Sequence, residues 1–170
     1  MKNKVAYLGL FLSLALVCSY VEAIIPFSFG IPGVKLGLTN IVVVLMLYSV
    51  GTKEALIVSY ARIILSGFMF GSGFSILYSL VGGTLSFIVM YLLKKTKKLG
   101  VTSVSVAGGL SHNIGQLLVA AIVVENLYIF YYIPVLVIAG SITGLIIGIV
   151  SNEVILRLGK KIKFWLGVIN

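Results

Sequence analysis

Apolar residues fill the chain in six runs, broken by short clusters of glycine, proline and charge. The runs cover about 5–23, 38–50, 55–67, 74–93, 101–124 and 129–158. A helix on a soluble domain shows one apolar stripe and one polar face. These runs are apolar nearly all round, as segments facing lipid must be. A spanning helix takes about 20 residues, so a 170-residue chain has room for six. The pattern predicts an all-α, polytopic membrane protein of six transmembrane helices, built as one integral domain over 1–170. The second and third runs are short for a full crossing.

Composition sharpens this. The chain is 60% apolar and 10% charged, against about 45–50% and 25% in soluble domains. A soluble enzyme and a disordered tail are both excluded. All four acids are glutamates, and there is no aspartate. Aspartate-held magnesium–diphosphate sites and phosphorylated-aspartate pumps therefore cannot be built. No phosphate-cradling Gly-x-x-x-x-Gly-Lys-Ser/Thr run is present, so ATP binding by this chain alone is not expected. The single Cys forbids an internal disulfide and a cysteine-based metal site. The single His forbids bis-His haem ligation within one chain. No catalytic residues, metal or resident cofactor are expected.

The charges orient the helices. Lys2 and Lys4 precede the first run, Lys53 lies between the second and third, Lys94, Lys95, Lys97 and Lys98 lie between the fourth and fifth, and Arg157, Lys160, Lys161 and Lys163 close the sixth. With six crossings these clusters share one side, leaving Lys35 on the other and Arg62 within a run. The positive-inside rule then places both termini in the cytoplasm of a multi-pass cell-membrane protein. The net charge of +9 reads as topology and lipid-headgroup contact rather than nucleic-acid binding. The N-terminal run reads as an uncleaved first helix, because removing it would scatter the clusters across both faces.

Polar residues at membrane depth are costly and mark interiors or cavities. The connection 22–40 holds Glu22, Pro26, Pro32, Gly33, Lys35, Gly37 and Asn40. Its prolines forbid a continuous helix. It is either a re-entrant cap packed into the outer side or a plain turn. In the third run Ser59, Arg62 and Ser66 share one helix face. Arg62 either binds an anionic substrate or pairs with Glu22 or Glu125. In the fifth run Gly108, His112 and Gln116 form one stripe flanked by Asn113, which reads as a binding wall against the alternative of interhelical hydrogen bonding. Gly140, Gly144 and Gly148 form a zipper expected to serve internal helix packing. Gly9 and Ser13 form a smaller patch, for internal packing or for a partner.

Two stretches carry a resemblance: Pro32-Gly-Val-Lys-Leu-Gly-Leu-Thr-Asn-Ile and Ser105-Val-Ala-Gly-Gly-Leu-Ser-His-Asn-Ile-Gly-Gln. Through them the chain resembles the Gx transporter family, also labelled heptaprenyl diphosphate synthase component I. That family is grouped with the substrate-binding S components of energy-coupling factor vitamin transporters. The chain departs from the usual pattern at Thr39 and Gly109, where alanine is common. The resemblance implies an S-component-like bundle with cytoplasmic termini and a re-entrant first outer loop over a substrate cavity. It also implies a small-x-x-x-small motif on helix one, here Gly9 and Ser13 where alanines are usual. In S components that motif meets a transmembrane coupling protein driven by two ATPases.

The expected function is therefore a substrate-binding membrane subunit of an importer for a small, acidic, vitamin-like or cofactor-related molecule. Glu22, Lys35, Asn40, Arg62, His112, Asn113 and Gln116 would line its site. The alternative is a membrane protein of isoprenoid or quinone biosynthesis, or of flavin- or quinone-linked electron transfer. Synthase chemistry itself, which holds magnesium with aspartates, is not expected.

Overall fold

The computed structural model describes residues 2–24 and 37–165, with side chains over 4–24 and 37–159. Among the described residues every regular element is a helix. They are α1 (Lys2–Ile24), α2 (Asn40–Ser49), α3 (Thr52–Phe70), α4 (Gly73–Thr96), α5 (Val101–Val124) and α6 (Ile133–Trp165), with a 3-10 helix, Leu127–Tyr132, leading into α6. Four stretches are long and apolar enough to cross a membrane: Lys4–Ile24, Gly73–Thr96, Val101–Val124 and Leu127–Gly159. Most of the loop expected to be re-entrant, Lys35 included, lies outside the described residues.

Two expected boundaries are corrected. Gly67 does not end the third helix, which runs on to Phe70. A Cβ at Gly67 would lie 2.1 Å from Ile76 Cγ1, so this glycine lets α3 and α4 approach rather than stopping α3. The sixth run is not one helix from 129. It divides at Ile133, because Pro134 lacks an amide hydrogen and fits the first turn of a helix. The 3-10 helix before it exposes Tyr128 and Tyr131, whose rings stack at 6.2 Å. Such aromatics suit a membrane–water interface.

The ten residues of α2 rise only about 15 Å, half a bilayer core. Yet α2 is buried on nearly every side, with Val42, Val44 and Met46 fully inaccessible. It packs against α3 and α6, and more lightly against α1 and α5. A helix that is apolar all round is stable when neighbours enclose it. Phe11, Ala15, Ala55, Val58, Phe87, Met90, Val104 and Ile147 complete this core. A second apolar cluster, with Tyr78, Leu117, Ala120, Ile129 and Leu136, joins α4, α5, α6 and the 3-10 helix.

Cross-links place several basic clusters at one end of the bundle. Lys4 pairs with Glu54 at 2.6 Å, joining the start of α1 to the start of α3. Lys94 donates to the Leu47 carbonyl and lies 5.2 Å from the Tyr48 ring centroid, joining the end of α4 to the end of α2. A Cβ at Gly159 would lie 3.8 Å from Ser49 Oγ, which brings α6 to the same end. The Tyr20–Phe70 ring pair, 5.2 Å apart, joins α1 and α3 towards the opposite end.

Candidate functional site

Between the two apolar clusters lies a belt of buried polar side chains. On α5 it spans 111–116, between Val104 of the first cluster and Leu117 of the second. On α1 it begins where the inward face of Phe11 and Ala15 continues as Ser19 and Glu22. Helical spacing of three and four puts all four on one side.

Glu22 organises the entry to α2. Its Oε1 accepts from the Gly37 amide and, at 3.3 Å, from the Leu38 amide. Its Oε2 accepts from the Thr39 hydroxyl at 3.2 Å, and Ser19 Oγ lies 3.2 Å from the same hydroxyl. A carboxylate at a helix N-terminus is favoured by the helix dipole and by the unpaired amides there. Thr39, the residue before α2, makes no side-chain cap; the first α2 amides donate to the carbonyls of Gly37, Leu38 and Thr39, and Glu22 takes the amides of the turn ahead of them.

Gly37 brings the loop end against α5. Its φ is +80°, a region open to glycine and strained for other residues. A Cβ there would lie 3.1 Å from His112 Cδ2 and 3.2 Å from Asn40 Nδ2. From the other side Gly82 of α4 meets the same stripe. A Cβ at Gly82 would lie 2.9 Å from Gln116 Cγ and 3.2 Å from His112 Nδ1. His112 thus sits between two close-approaching backbones, Gln116 lies against the Gly82 one, and both are buried.

Arg62 is 4% exposed, on the same buried face of α3 as Ser59 and Ser66. Neither ion pair within 4.0 Å among the described residues involves Arg62; these are Lys4–Glu54 and Arg157–Glu153. Its Nε is buried without a hydrogen-bond partner. Glu125, one of the two partners expected in the ion-pair alternative, is exposed at the end of α5.

The structure therefore brings Glu22, Asn40, His112 and Gln116 together around Gly37 and Gly82, while Arg62 is buried on α3 and none of these contacts includes it. Asn113 points elsewhere. Its Nδ2 donates to the Leu136 carbonyl of α6 at 2.9 Å, and its Oδ1 is buried without a partner. Gly140 and Gly144 lie against Gly109 and Val106 of α5, and Gly148 against Thr102. Gly9 faces open space, with no heavy atom within 4 Å of a Cβ built there. Ser13 is exposed, and its hydroxyl donates to the Gly9 carbonyl at 2.9 Å. Among the described residues no three His, Cys, Asp or Glu side chains gather to hold a metal.

Sequence reasoning missed Ser19, although its place three residues before Glu22 on one helix face was a usable signal. It also missed a groove of about 450 Å³ along α6, lined by Leu38, Val135, Ile138, Ala139, Ile142, Thr143 and Ile146. Its residues recur at helical spacing, but an ordinary lipid-facing stripe does the same.

The model of the heptaprenyl diphosphate synthase component I family matches residues 11–154. The chain belongs to that family. The matched span covers α2 to α5 whole, together with every candidate side chain of the polar belt. No curated protein and no solved structure matches the chain.

Proposed function

We propose that this family member is a substrate-binding membrane subunit, S-component-like, of an energy-coupling-factor-type importer. In this reading six segments cross the cell membrane, both termini are cytoplasmic, and the 22–40 connection caps the site from outside. The substrate is a small acidic molecule, vitamin-like or cofactor-related. A transmembrane coupling protein and two ATPases supply the energy, and Gly9 and Ser13 meet the coupling protein. No catalytic step belongs to this chain, despite the synthase in the family description. Ionising an allylic diphosphate calls for magnesium held by aspartates, and the chain has none.

The observation that carries the reading is Arg62. A guanidinium 4% exposed with no carboxylate within ion-pair distance among the described residues is expensive to keep. Leaving a buried charge uncompensated costs about 3–5 kcal/mol. A group of that kind at membrane depth persists where it has a function, and its planar fork suits carboxylate or phosphate. Asn40, His112 and Gln116 add hydrogen-bonding groups of both senses. The open patch at Gly9 and Ser13 supports the coupling role, since small residues let a foreign helix approach closely.

The test is native mass spectrometry of the purified protein, followed by Arg62→Leu. A small acidic ligand should co-purify with the wild type and be lost from a variant that still assembles in membranes. Co-purification of a quinone or polyprenyl lipid retained by Arg62→Leu would overturn the reading in favour of the isoprenoid-associated alternative. Failure of Arg62→Leu to fold, with a stable Arg62→Lys variant that binds the acid as tightly as wild type, would assign Arg62 to structure instead.

A further inference from the structure

Arg62 and a row of serines on α4 open to the same side of the α3–α4 seam. Three contacts fix that seam. Tyr60 Oη lies 2.9 Å from the Thr84 hydroxyl. A Cβ at Gly83 would lie 3.0 Å from Ile63 Cδ1, and one at Gly67 would lie 2.1 Å from Ile76 Cγ1. Pairing 60 with 84, 63 with 83 and 67 with 76 makes the two helices antiparallel. Arg62 and Ser66 stand one residue before Ile63 and Gly67, and Ser75 and Gly82 stand one residue before Ile76 and Gly83. One residue back turns a helix by about 100°, and between antiparallel helices both turns open to the same side. That side is where α5 lies, because Gly82 meets His112 and Gln116 there. Ser79, midway between Ser75 and Gly82, shares their face.

Depth follows from the same contacts. Arg62 adjoins the Ile63–Gly83 contact, so it is level with Gly82 and the α5 stripe. Towards the end of the bundle away from the basic clusters, Ser79 and Ser75 stand about 4.5 and 10 Å further out along α4. Both are buried, and Ser75 Oγ has no hydrogen-bond partner among the described residues. Ser66 already leans on the Ile63 carbonyl at 3.4 Å. Close packing alone does not call for hydroxyls here, since α4 uses Gly82 and Gly83 where its neighbours press closest. Between Arg62 and Lys94 the chain carries no charged residue, so what Ser75 and Ser79 would meet is polar and neutral.

We propose that Ser79 and Ser75 are substrate-binding residues and that the substrate is a hydroxylated acid. Its acid group sits at Arg62, and its hydroxyl or carbonyl groups run outward along the two serines, which both donate and accept. This rests on Arg62 being a ligand residue, as proposed above, and gives the acidic substrate a neutral polar arm. Acid and arm have separate determinants: charge on α3, hydroxyls on α4.

The full-length protein in phosphatidylcholine nanodiscs is titrated with gluconate and with hexanoate, an acid of the same carbon count without the hydroxyls. Gluconate should bind at least about tenfold more tightly, because a site built for hydroxyls rejects the analogue that lacks them. Ser79→Ala should weaken gluconate about fivefold, the worth of one hydrogen bond, and leave hexanoate unchanged. Gluconate spans about 6 Å when extended, enough for Ser79 but not for Ser75. Ser75→Ala should therefore spare gluconate and weaken lactobionate, in which a sugar lengthens the gluconate. Arg62→Gln should weaken both short acids alike; if it does not assemble, Arg62→Lys should do the same to a smaller degree. Equal binding of hexanoate and gluconate, no loss of gluconate in Ser79→Ala, or an equal loss of hexanoate makes the serines packing residues and overturns the proposal. If hexanoate binding still depends on Arg62 in that case, the acidic-substrate reading stands. If neither acid depends on Arg62, both fail.

Discussion

Replacing Glu22 separates a structural carboxylate from a ligand-binding one. Both of its oxygens are occupied, Oε1 by the Gly37 and Leu38 amides and Oε2 by the Thr39 hydroxyl. Hydrogen bonds to a charged group contribute about 1.5–3 kcal/mol each, and they do not add. Glu22→Ala strips all three donors of their acceptor at once. The expected loss is about 3–5 kcal/mol, since each buried donor left unpaired costs about 1–3 kcal/mol and the three do not add fully. Glu22→Gln keeps one carbonyl acceptor but loses the charge at the start of α2, a loss of about 1–2 kcal/mol. Thr39→Val removes one donor and should cost about 1–3 kcal/mol. Reversible unfolding in mixed micelles, followed by circular dichroism, measures all three. The order should be Glu22→Ala, then the two milder variants. Ligand affinity in Glu22→Gln should change by less than about threefold, or about 0.6 kcal/mol. A Glu22→Ala protein within about 0.5 kcal/mol of wild type that binds ligand tenfold more weakly would refute the reasoning and make Glu22 a ligand residue.

Three other perturbations test the fold and its coupling. Gly82→Leu should separate α4 from α5 and destabilise the protein by about 1–3 kcal/mol by overpacking, because even a Cβ would lie 2.8 Å from the His112 carbonyl; wild-type stability in the unfolding assay would contradict the close approach. In a Cys18→Ser background, Thr96→Cys should be labelled only by reagents that reach the cytoplasm, and labelling from outside alone would reverse the orientation. Gly9→Leu with Ser13→Leu should leave stability within about 0.5 kcal/mol, as for surface changes, while abolishing co-purification with a coupling protein and ATP-driven uptake. Full uptake by that double variant would remove the coupling mechanism proposed here.

Helices were legible in this sequence because bilayer-length apolar runs leave few other structures to form. Their ends were legible in places, as at the fifth run, whose expected bounds of 101–124 are those of α5. They were misread where a residue had two roles. Gly67 has the residue type of a terminator, yet its missing side chain is used by Ile76. The choice depends on what α4 presents opposite, and no local pattern carries that. Pro134 was a usable signal of the opposite kind, since its place just inside a helix start follows from its chemistry alone.

The polar belt shows the same division. Stripe spacing on α5 placed His112 and Gln116 on one face, and both meet Gly82. Asn113, one residue on, is rotated by about 100° on a helix of 3.6 residues per turn and turns to Leu136 of α6. Adjacency in sequence grouped it with the site, while helix geometry assigns it to the α5–α6 seam. The contact that draws the belt together, Glu22 with Gly37, Leu38 and Thr39, bridges fifteen or more positions and crosses between two helices. Spacing rules act within one element and cannot anticipate it. What the sequence did carry was the demand: a glutamate and an arginine in apolar segments must each find partners. Glu22 finds three donors at the head of α2. Arg62 is buried with its Nε unpartnered among the described residues, and this contrast with Glu22 is why the site is drawn around it.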